Sequence, residues 1–155
     1  MPKLDIAAIP EKNTTSYPEP FRALVKGRFR KALGDAVGLT QFGVNLCRLA
    51  PGSASAQRHW HEREDELVYV LDGEVVLVEN DGEIVLRAGE AAAFKAGTRN
   101  GHHLVNRSGR DALILEIGTR DPADRGEYPD IDMKFVVENG KDRFLHKDGT
   151  PYPES

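Results

Sequence analysis

Two histidines separated by a single residue, His59 and His61, are the part of this sequence whose chemistry is easiest to recognise. Side chains alternate between the two faces of an extended strand, so both imidazoles project to one side and Trp60 projects to the other. Glu66 follows after four intervening residues. Two imidazoles and a carboxylate are a ligand set for a transition metal. Two histidines at this spacing, taken by themselves, are more often exposed residues of a strand than metal ligands. Other parts of the chain are needed to distinguish the two interpretations.

Glu66 is the one member of an acidic turn that we expect to reach the interior of the fold. Its acidic neighbours Glu62, Glu64 and Asp65 have the composition of a solvated turn. Glu66 instead opens an apolar strand and shares its face with Val68 and Val70. A carboxylate that faces an apolar interior is costly unless it meets a cation. Glu66 is therefore the favoured metal ligand of this turn.

A second histidine-containing stretch, residues 89–106, reads GEAAAFKAGTRNGHHLVN. Together with residues 52–73 it resembles the paired sequence motifs of the cupin superfamily. The first motif is matched by a glycine, the two histidines, the glutamate and a closing glycine after six more residues, which are here Gly52, His59, His61, Glu66 and Gly73. Gly52 lies one residue further from His59 than the family spacing. The resemblance covers about residues 40 to 118.

The second motif is matched at four positions, Gly89, Gly97, His102 and Asn106. Lys95 replaces the proline of the motif, and Asn100 and Gly101 lengthen the gap before the histidine. These departures bear on the shape of that turn and not on the resemblance. The spacing to the final asparagine selects His102 over His103, which strand alternation then places on the opposite face. A slip of one residue would exchange the two.

The resemblance implies a divalent metal ion held by four residues, His59, His61, Glu66 and His102. Imidazole and carboxylate ligands suit zinc, iron, manganese, nickel, cobalt or copper, and the sequence does not choose among them. Four protein ligands on a six-coordinate ion would leave two positions for water or substrate. The ion would then act as a Lewis acid on a small molecule, or, if it were iron, activate dioxygen.

Polar residues near the two motifs are candidates for contacts with a substrate. We expect these contacts from Gln57, Arg48, Tyr69, Lys95 and Arg99. Basic groups close to the second motif would favour an anionic substrate, a carboxylate or a phosphate. Each of these residues taken singly is more often simply solvated, and several could point outward.

The remainder of the chain predicts an all-β fold. Short apolar segments with turn signals at close spacing, and almost no helical periodicity, indicate a sandwich or barrel, and cupins are small jelly-roll barrels. We expect Phe42, Val44 and Leu46 to point inward from one strand, with Leu49 as a further candidate, and residues 91–94 to form a short buried strand. Asp72-Gly73 predicts a two-residue hairpin, and Asp81-Gly82 another turn.

The chain divides into three expected parts: an N-terminal segment over residues 1–38, the barrel over 39–120, and a C-terminal β tail over 121–155. Within the first part we expect an extended arm, a short helix over residues 19–25 and a weak strand over residues 28–33. Four prolines in the first twenty residues indicate an extended arm that is either loose or laid on a neighbouring surface. Two strands, at residues 75–78 and 113–115, are apolar on both faces, which favours a homodimer. Whether arm or tail is exchanged between subunits stays open.

Bulk properties exclude several classes of protein. A formal net charge of −4 argues against a general nucleic-acid binder. The basic run KGRFRK at residues 26–31 is expected to be a solvated edge. Cys47 is the single cysteine and is expected to be a buried apolar residue, and one thiol allows no intramolecular disulfide. No apolar run approaches the ~18 residues of a membrane span, and the N-terminus lacks signal-peptide features, so we expect a cytoplasmic protein.

Three functional hypotheses follow. The first is a metal-dependent small-molecule enzyme; within cupins, single-domain bacterial members with similar motifs resemble sugar-phosphate isomerases, and dioxygenases are an alternative. The second is a non-catalytic, metal-dependent module that binds or senses a small ligand. The third is a purely structural role, which is disfavoured because all four ligand positions are present at motif spacing.

Overall fold

The protein is described by a computed structural model over residues 3–154. Within that range it contains twelve antiparallel strands and three single-turn 3-10 helices, at Ile6–Ala8, Ala23–Val25 and Asp35–Val37. None of these helices is long and apolar enough to cross a membrane. The all-β prediction is confirmed, while the short helix expected near residues 19–25 is reduced to one 3-10 turn.

The largest sheet has five strands in the order β1-β2-β9-β4-β7. Their bounds are β1 Arg28–Ala32, β2 Phe42–Leu49, β4 Glu66–Asp72, β7 Ala91–Phe94 and β9 Ala112–Thr119. A three-stranded sheet, β6-β5-β8, faces it and consists of β5 Glu74–Glu79, β6 Gly82–Arg87 and β8 His103–Val105. Three strands of the tail add to a short strand of the first motif to form a four-stranded sheet in the order β12-β11-β10-β3. The bounds are β3 Trp60–His61, β10 Arg125–Tyr128, β11 Met133–Glu138 and β12 Lys141–Leu145.

The main core fills the space between the five-stranded and three-stranded sheets. It consists of alternate residues from the facing strands, namely Cys47, Leu49, Val68, Val70, Val75, Leu77, Leu86, Leu104, Ala112 and Ile114. The expected inward face of β4 is confirmed, because Val68 and Val70 are buried. Cys47 is buried, as expected.

The predicted inward face of β2 is wrong. Phe42 is 39% exposed, and the core takes Cys47 from this strand instead of Val44 or Leu46. Leu49, the further candidate, is buried as expected. The strand carries apolar side chains on both faces, so polarity gave no alternation from which to choose the inner one. The expected burial of β7 is also wrong, because Ala91 and Ala93 are exposed.

The predicted hairpin at Asp72-Gly73 does not form, because the chain crosses there from one sheet to the other. β4 pairs with β7 and β9, whereas β5 pairs with β6 and β8. Gly73 has a φ of 77°, and a Cβ at this position would lie 2.9 Å from the carbonyl oxygen of Asp111. Glycine is therefore required by a tight crossing rather than by a hairpin turn. The turn before Gly82 does join the paired strands β5 and β6.

The arm and the tail pack against each other and form a second core. This cluster is made of Tyr17, Val25, Tyr128, Met133, Phe135 and Phe144. The arm is further tied to the five-stranded sheet, where the backbones of Lys12 and Arg30 exchange hydrogen bonds of 2.9 and 2.8 Å. These contacts lay the arm on its own chain, between β1 and the tail.

Candidate metal centre

Three imidazoles surround one carboxylate oxygen where the sheets meet. Oε1 of Glu66 lies 2.8 Å from Nε2 of His102, 3.2 Å from Nε2 of His61 and 3.6 Å from Nε2 of His59. The four residues predicted as ligands are therefore brought together, and each histidine presents the same ring nitrogen to the carboxylate. His59, His61 and Glu66 form a group whose geometry could hold a metal ion.

Backbone pairing explains how the two motifs meet. His59 and His102 are antiparallel bridge partners, with N to O distances of 3.2 and 2.8 Å. Residues directly opposite one another project their side chains to the same face. His103 therefore turns away, and its Nδ1 lies 2.8 Å from the carbonyl oxygen of Ala56. The structure places His102, not His103, against Glu66.

The two inserted residues of the second motif lie in the loop before His102 and leave its register intact. The side chain of Asn100 bonds to the backbone N–H of Asn80 and to the carboxylate of Glu79. The Gly101 carbonyl accepts a hydrogen bond of 2.9 Å from Arg58. The extra length is thus absorbed over the β5–β6 turn.

The remote nitrogens of His59 and His61 have acceptors that determine the tautomer. Nδ1 of His59 lies 2.8 Å from the carbonyl oxygen of Gln57, and Nδ1 of His61 lies 2.6 Å from Oδ2 of Asp124. A carbonyl or carboxylate oxygen can only accept, so each Nδ1 carries the proton. In the neutral imidazoles both Nε2 lone pairs then point toward Glu66. Asp124 is buried and was not singled out by the sequence, because it lies 63 residues from His61.

This donor set fits a divalent transition metal. Two lone pairs aimed at a carboxylate oxygen repel unless a cation lies between them, and imidazole and carboxylate are ligands that such ions accept. Hydrogen bonds to the remote nitrogens are the usual support for metal-binding histidines. Glu64 lies near the same support, with Oε1 at 3.6 Å from Nδ1 of His61.

The electrostatics of the cluster agree with a need for positive charge. Burial alone would raise the pKa of Glu66, but the hydrogen bond with His102 and the charges that the neighbouring His59 and His61 can carry hold that pKa well below its usual value. Burial alone would lower the pKa of His61, but the hydrogen bond to Asp124 and the charge of Glu66 raise that pKa to about 9. Without a metal, a proton therefore supplies the cation between His61 and Glu66.

His102 is held by packing more than by hydrogen bonds. Its ring stacks on Phe94 with centroids 3.6 Å apart and an angle of 0° between the planes. Burial lowers its pKa, and its buried Nδ1 has no hydrogen-bond partner among residues 3–154. The stacked ring therefore relies on Phe94 and Glu66 for its orientation.

A cavity of about 620 Å³ opens above the cluster. Its size is within the range of small-molecule pockets. The strands of the barrel, the arm and the tail all contribute to its wall, and its polar lining beyond the cluster includes Tyr17, Arg28, Arg30, Glu116, Tyr128 and Asp142. None of these six was expected at a site.

The expectation that the KGRFRK run at residues 26–31 is a solvated edge is wrong for its two arginines. Arg28 and Arg30 are paired with Leu49 and Cys47, the inward residues of β2, and therefore point inward themselves. Arg30 forms a two-bonded ion pair with Glu116, at 2.7 and 3.0 Å. Local composition could not reveal this partner, which lies 86 residues away.

Most of the residues expected to contact a substrate lie elsewhere. Gln57 uses its side-chain amide to bond the Phe21 carbonyl at 3.0 Å. Tyr69 is 39% exposed on the outer face of β4, opposite the buried Val68 and Val70. The three expected basic residues also lie outside the main cavity. Arg48 forms ion pairs with Glu11 and Asp111, and Arg99 lies over the ring of Trp60. Lys95 lines a smaller neighbouring cavity of about 240 Å³. That smaller cavity also reaches His61, Glu66 and His102.

Comparison with known proteins identifies the family. The cupin domain model matches residues 45–118. A cupin-superfamily sugar phosphate isomerase from Silicibacter pomeroyi is 44% identical, with a TM-score of 0.94, over 98% of this chain and 97% of that chain. The chain is a member of the cupin superfamily. The cupin resemblance inferred from the two histidine motifs is confirmed.

Two further solved structures show how far the similarity extends. A putative sugar phosphate isomerase from Acidithiobacillus ferrooxidans is 29% identical, with a TM-score of 0.74, over 84% of each chain. The polyketide cyclase RemF from Streptomyces resistomycificus is 21% identical, with a TM-score of 0.63, over 78% of this cupin and 80% of that chain, and shares the fold. No curated protein matches the sequence of this cupin.

Proposed function

We propose that this cupin is a metal-dependent isomerase that acts on a sugar phosphate. The observation that carries the proposal is the convergence of three imidazole Nε2 atoms on Glu66 Oε1 at the floor of a ligand-sized cavity. The similarity to a sugar phosphate isomerase over nearly the whole chain supports this substrate class. Fold similarity alone is weak evidence for a reaction, and the arrangement of the cavity is therefore the stronger part of the argument.

His59, His61, Glu66 and His102 would hold the metal. When bound, a divalent ion at this position supplies Lewis acidity toward a carbonyl or hydroxyl oxygen of the substrate. Asp124 and the Gln57 carbonyl keep the protons of two imidazoles on Nδ1, which leaves the Nε2 atoms free to bind. Zinc, iron, manganese, nickel, cobalt and copper all remain compatible with these ligands.

Isomerisation of an aldose to a ketose moves hydrogen between neighbouring carbon and oxygen atoms, with no net oxidation. A base removes a proton from the carbon that bears the hydroxyl and returns it to the neighbouring carbonyl carbon, while the hydroxyl proton passes to the carbonyl oxygen. We assign the proton transfer at carbon to Asp142. The residue is exposed overall, but its side chain lines the cavity, and partial desolvation there raises its pKa. A raised pKa favours a carboxyl group that can both take and return a proton.

The experiment is an assay of sugar phosphate interconversion by nuclear magnetic resonance, with aldose and ketose phosphates of five and six carbons as substrates. We expect turnover that chelation abolishes and one added metal restores. Asp142→Asn should lose turnover while it retains metal. A metal-loaded protein that interconverts none of these substrates would contradict the proposed reaction and favour the binding or dioxygenase alternatives.

We also propose that a second copy of the chain covers the outer face of the five-stranded sheet. Leu67, Tyr69 and Leu71 are 39%, 39% and 42% exposed on β4. Their cross-strand neighbours on β9 include Ile117 and Leu115, so the apolar surface continues over adjacent strands. An extended apolar face of this kind favours self-association, and twofold dimers are the commonest form.

A further inference from the structure

Arg28 is a buried cation in the wall of the cavity above the metal centre. It begins β1 opposite Leu49, on the face of the sheet that points inward, and it is 7% exposed. Arg28 is one of the residues that line this cavity.

No carboxylate pairs with this guanidinium among residues 3–154. Its hydrogen bonds go to two backbone carbonyls, from Nη1 to Ser55 at 2.9 Å and from Nη2 to Thr14 at 3.4 Å. Arg30 differs, because Glu116 neutralises it in a two-bonded ion pair. A guanidinium has five N–H donors, so Arg28 keeps both its charge and several donors uncommitted by protein groups.

Burial of a charge without a partner is costly, and proteins rarely tolerate it without a compensating group. Here the backbone holds the guanidinium in place, since Nη1 of Arg28 and Nη2 of Arg30 both donate to the Ser55 carbonyl, at 2.9 and 3.1 Å. The two guanidinium groups therefore share one acceptor, and the carboxylate beside them, Glu116, is paired with Arg30. Burial, and after it the charge of the neighbouring Arg30, lower the pKa of Arg28.

We propose that Arg28, with Arg30 beside it, binds the phosphate group of the substrate. This inference rests on the proposed function, and it assigns the phosphate group of the substrate to the part of the cavity wall formed by Arg28 and Arg30. The planar fork of a guanidinium matches the oxygens of a phosphate in two-bonded geometry. The same cavity contains Glu66 and His59 at its floor, so a sugar phosphate anchored by Arg28 would present its sugar portion toward the metal centre.

The test is a calorimetric titration of inorganic phosphate into the purified protein, both with its metal and after chelation. We expect Arg28→Met to weaken binding about tenfold or more in both forms. Arg28→Lys, which keeps the charge and the packing of the stem, should fall between Met and wild type. Arg143→Met is the matched control, because Arg143 is exposed and pairs with Glu138 at 3.2 Å, and it should bind as wild type does.

Phosphate binding that is unchanged in both Arg28→Met and Arg28→Lys would overturn the inference. A parallel titration with acetate distinguishes phosphate from carboxylate recognition, and acetate bound more tightly than phosphate would also overturn it. The titration requires no turnover. Loss of phosphate binding in Arg28→Met would therefore support the inference even if no sugar phosphate were isomerised. Isomerisation that Arg28→Met leaves unchanged would be compatible with the proposed function but would contradict the role of Arg28 in phosphate binding.

Discussion

Oδ2 of Asp124 lies 2.6 Å from Nδ1 of His61 and thereby determines which nitrogen of that imidazole faces Glu66. Asp124 is buried, and its other oxygen accepts a hydrogen bond of 2.9 Å from the backbone N–H of Arg63. The carboxylate is thus fixed by the backbone and in turn fixes the ring. The residue comes from the segment between β9 and β10, so the tail of the chain supports a centre whose ligands lie in the barrel motifs.

Replacement of Asp124 by asparagine should weaken metal binding by about 10- to 100-fold, because the imidazole of His61 loses its charged support. The measurement is a competitive metal titration against a chromophoric chelator. Asp132→Asn is the matched control, because Asp132 accepts a hydrogen bond from His146 at 2.8 Å outside the centre. Equal affinities in the two variants would show that Asp124 does not position the ligand.

Metal binding near neutral pH should release about one proton, because the ligand His61 must be deprotonated. The pKa of His61 in the metal-free protein is raised to about 9. The folded protein therefore holds this proton at neutral pH, and metal affinity should rise with pH until about pH 9. Calorimetry in buffers of different ionisation enthalpy measures the release. If metal binding releases no proton, His61 is not the metal ligand that we assign.

Gly126→Ala should destabilise the protein by about 3 kcal/mol and disturb the centre. Gly126 pairs with His61, and a Cβ there would lie 2.0 Å from the Trp60 carbonyl oxygen and 2.6 Å from the ring of Phe135. Strand β3 would have to shift, and His61 with it. Urea unfolding gives the change in free energy. Gly109→Ala, where an added Cβ meets nothing within 4 Å, should change it by less than about 0.5 kcal/mol.

Tyr69→Lys should dissociate the proposed dimer, because it places a charge in the centre of the apolar outer face. Light scattering coupled to size-exclusion chromatography should give a dimer mass for the wild type and a monomer mass for this variant. Ile84→Lys is the control, since Ile84 is 60% exposed on β6 of the other sheet. A wild-type protein that is monomeric at all concentrations would reject the dimer, and dissociation by Ile84→Lys alone would relocate its interface.

The sequence was sufficient for the family, the all-β class and the juxtaposition of the four ligand candidates. Strand alternation places His59 and His61 together, and a carboxylate that opens an apolar strand identifies Glu66. The choice of His102 over His103 depended on a register that the sequence left open. It is determined by the bridge between His59 and His102, which is a contact between distant segments.

The features that the sequence did not reveal depend on partners far along the chain. Arg28 and Arg30 have the composition of a solvated edge, because Ser55 and Glu116 become their neighbours only in the folded protein. Asp72-Gly73 has the local signature of a hairpin, but the strands on either side of it do not pair with each other. β4 pairs with β9 in one sheet, and β5 pairs with β6 in another. Local signals describe a turn, whereas pairing between distant strands determines where that turn leads.

The central claim is that His59, His61, Glu66 and His102 hold a divalent metal ion. Elemental analysis by mass spectrometry of the wild type, His102→Ala and His103→Ala tests it most directly. We expect near-stoichiometric transition metal in the wild type and in His103→Ala, and its loss in His102→Ala. Stoichiometric metal in His102→Ala, or none in the wild type even after reconstitution, would contradict the claim.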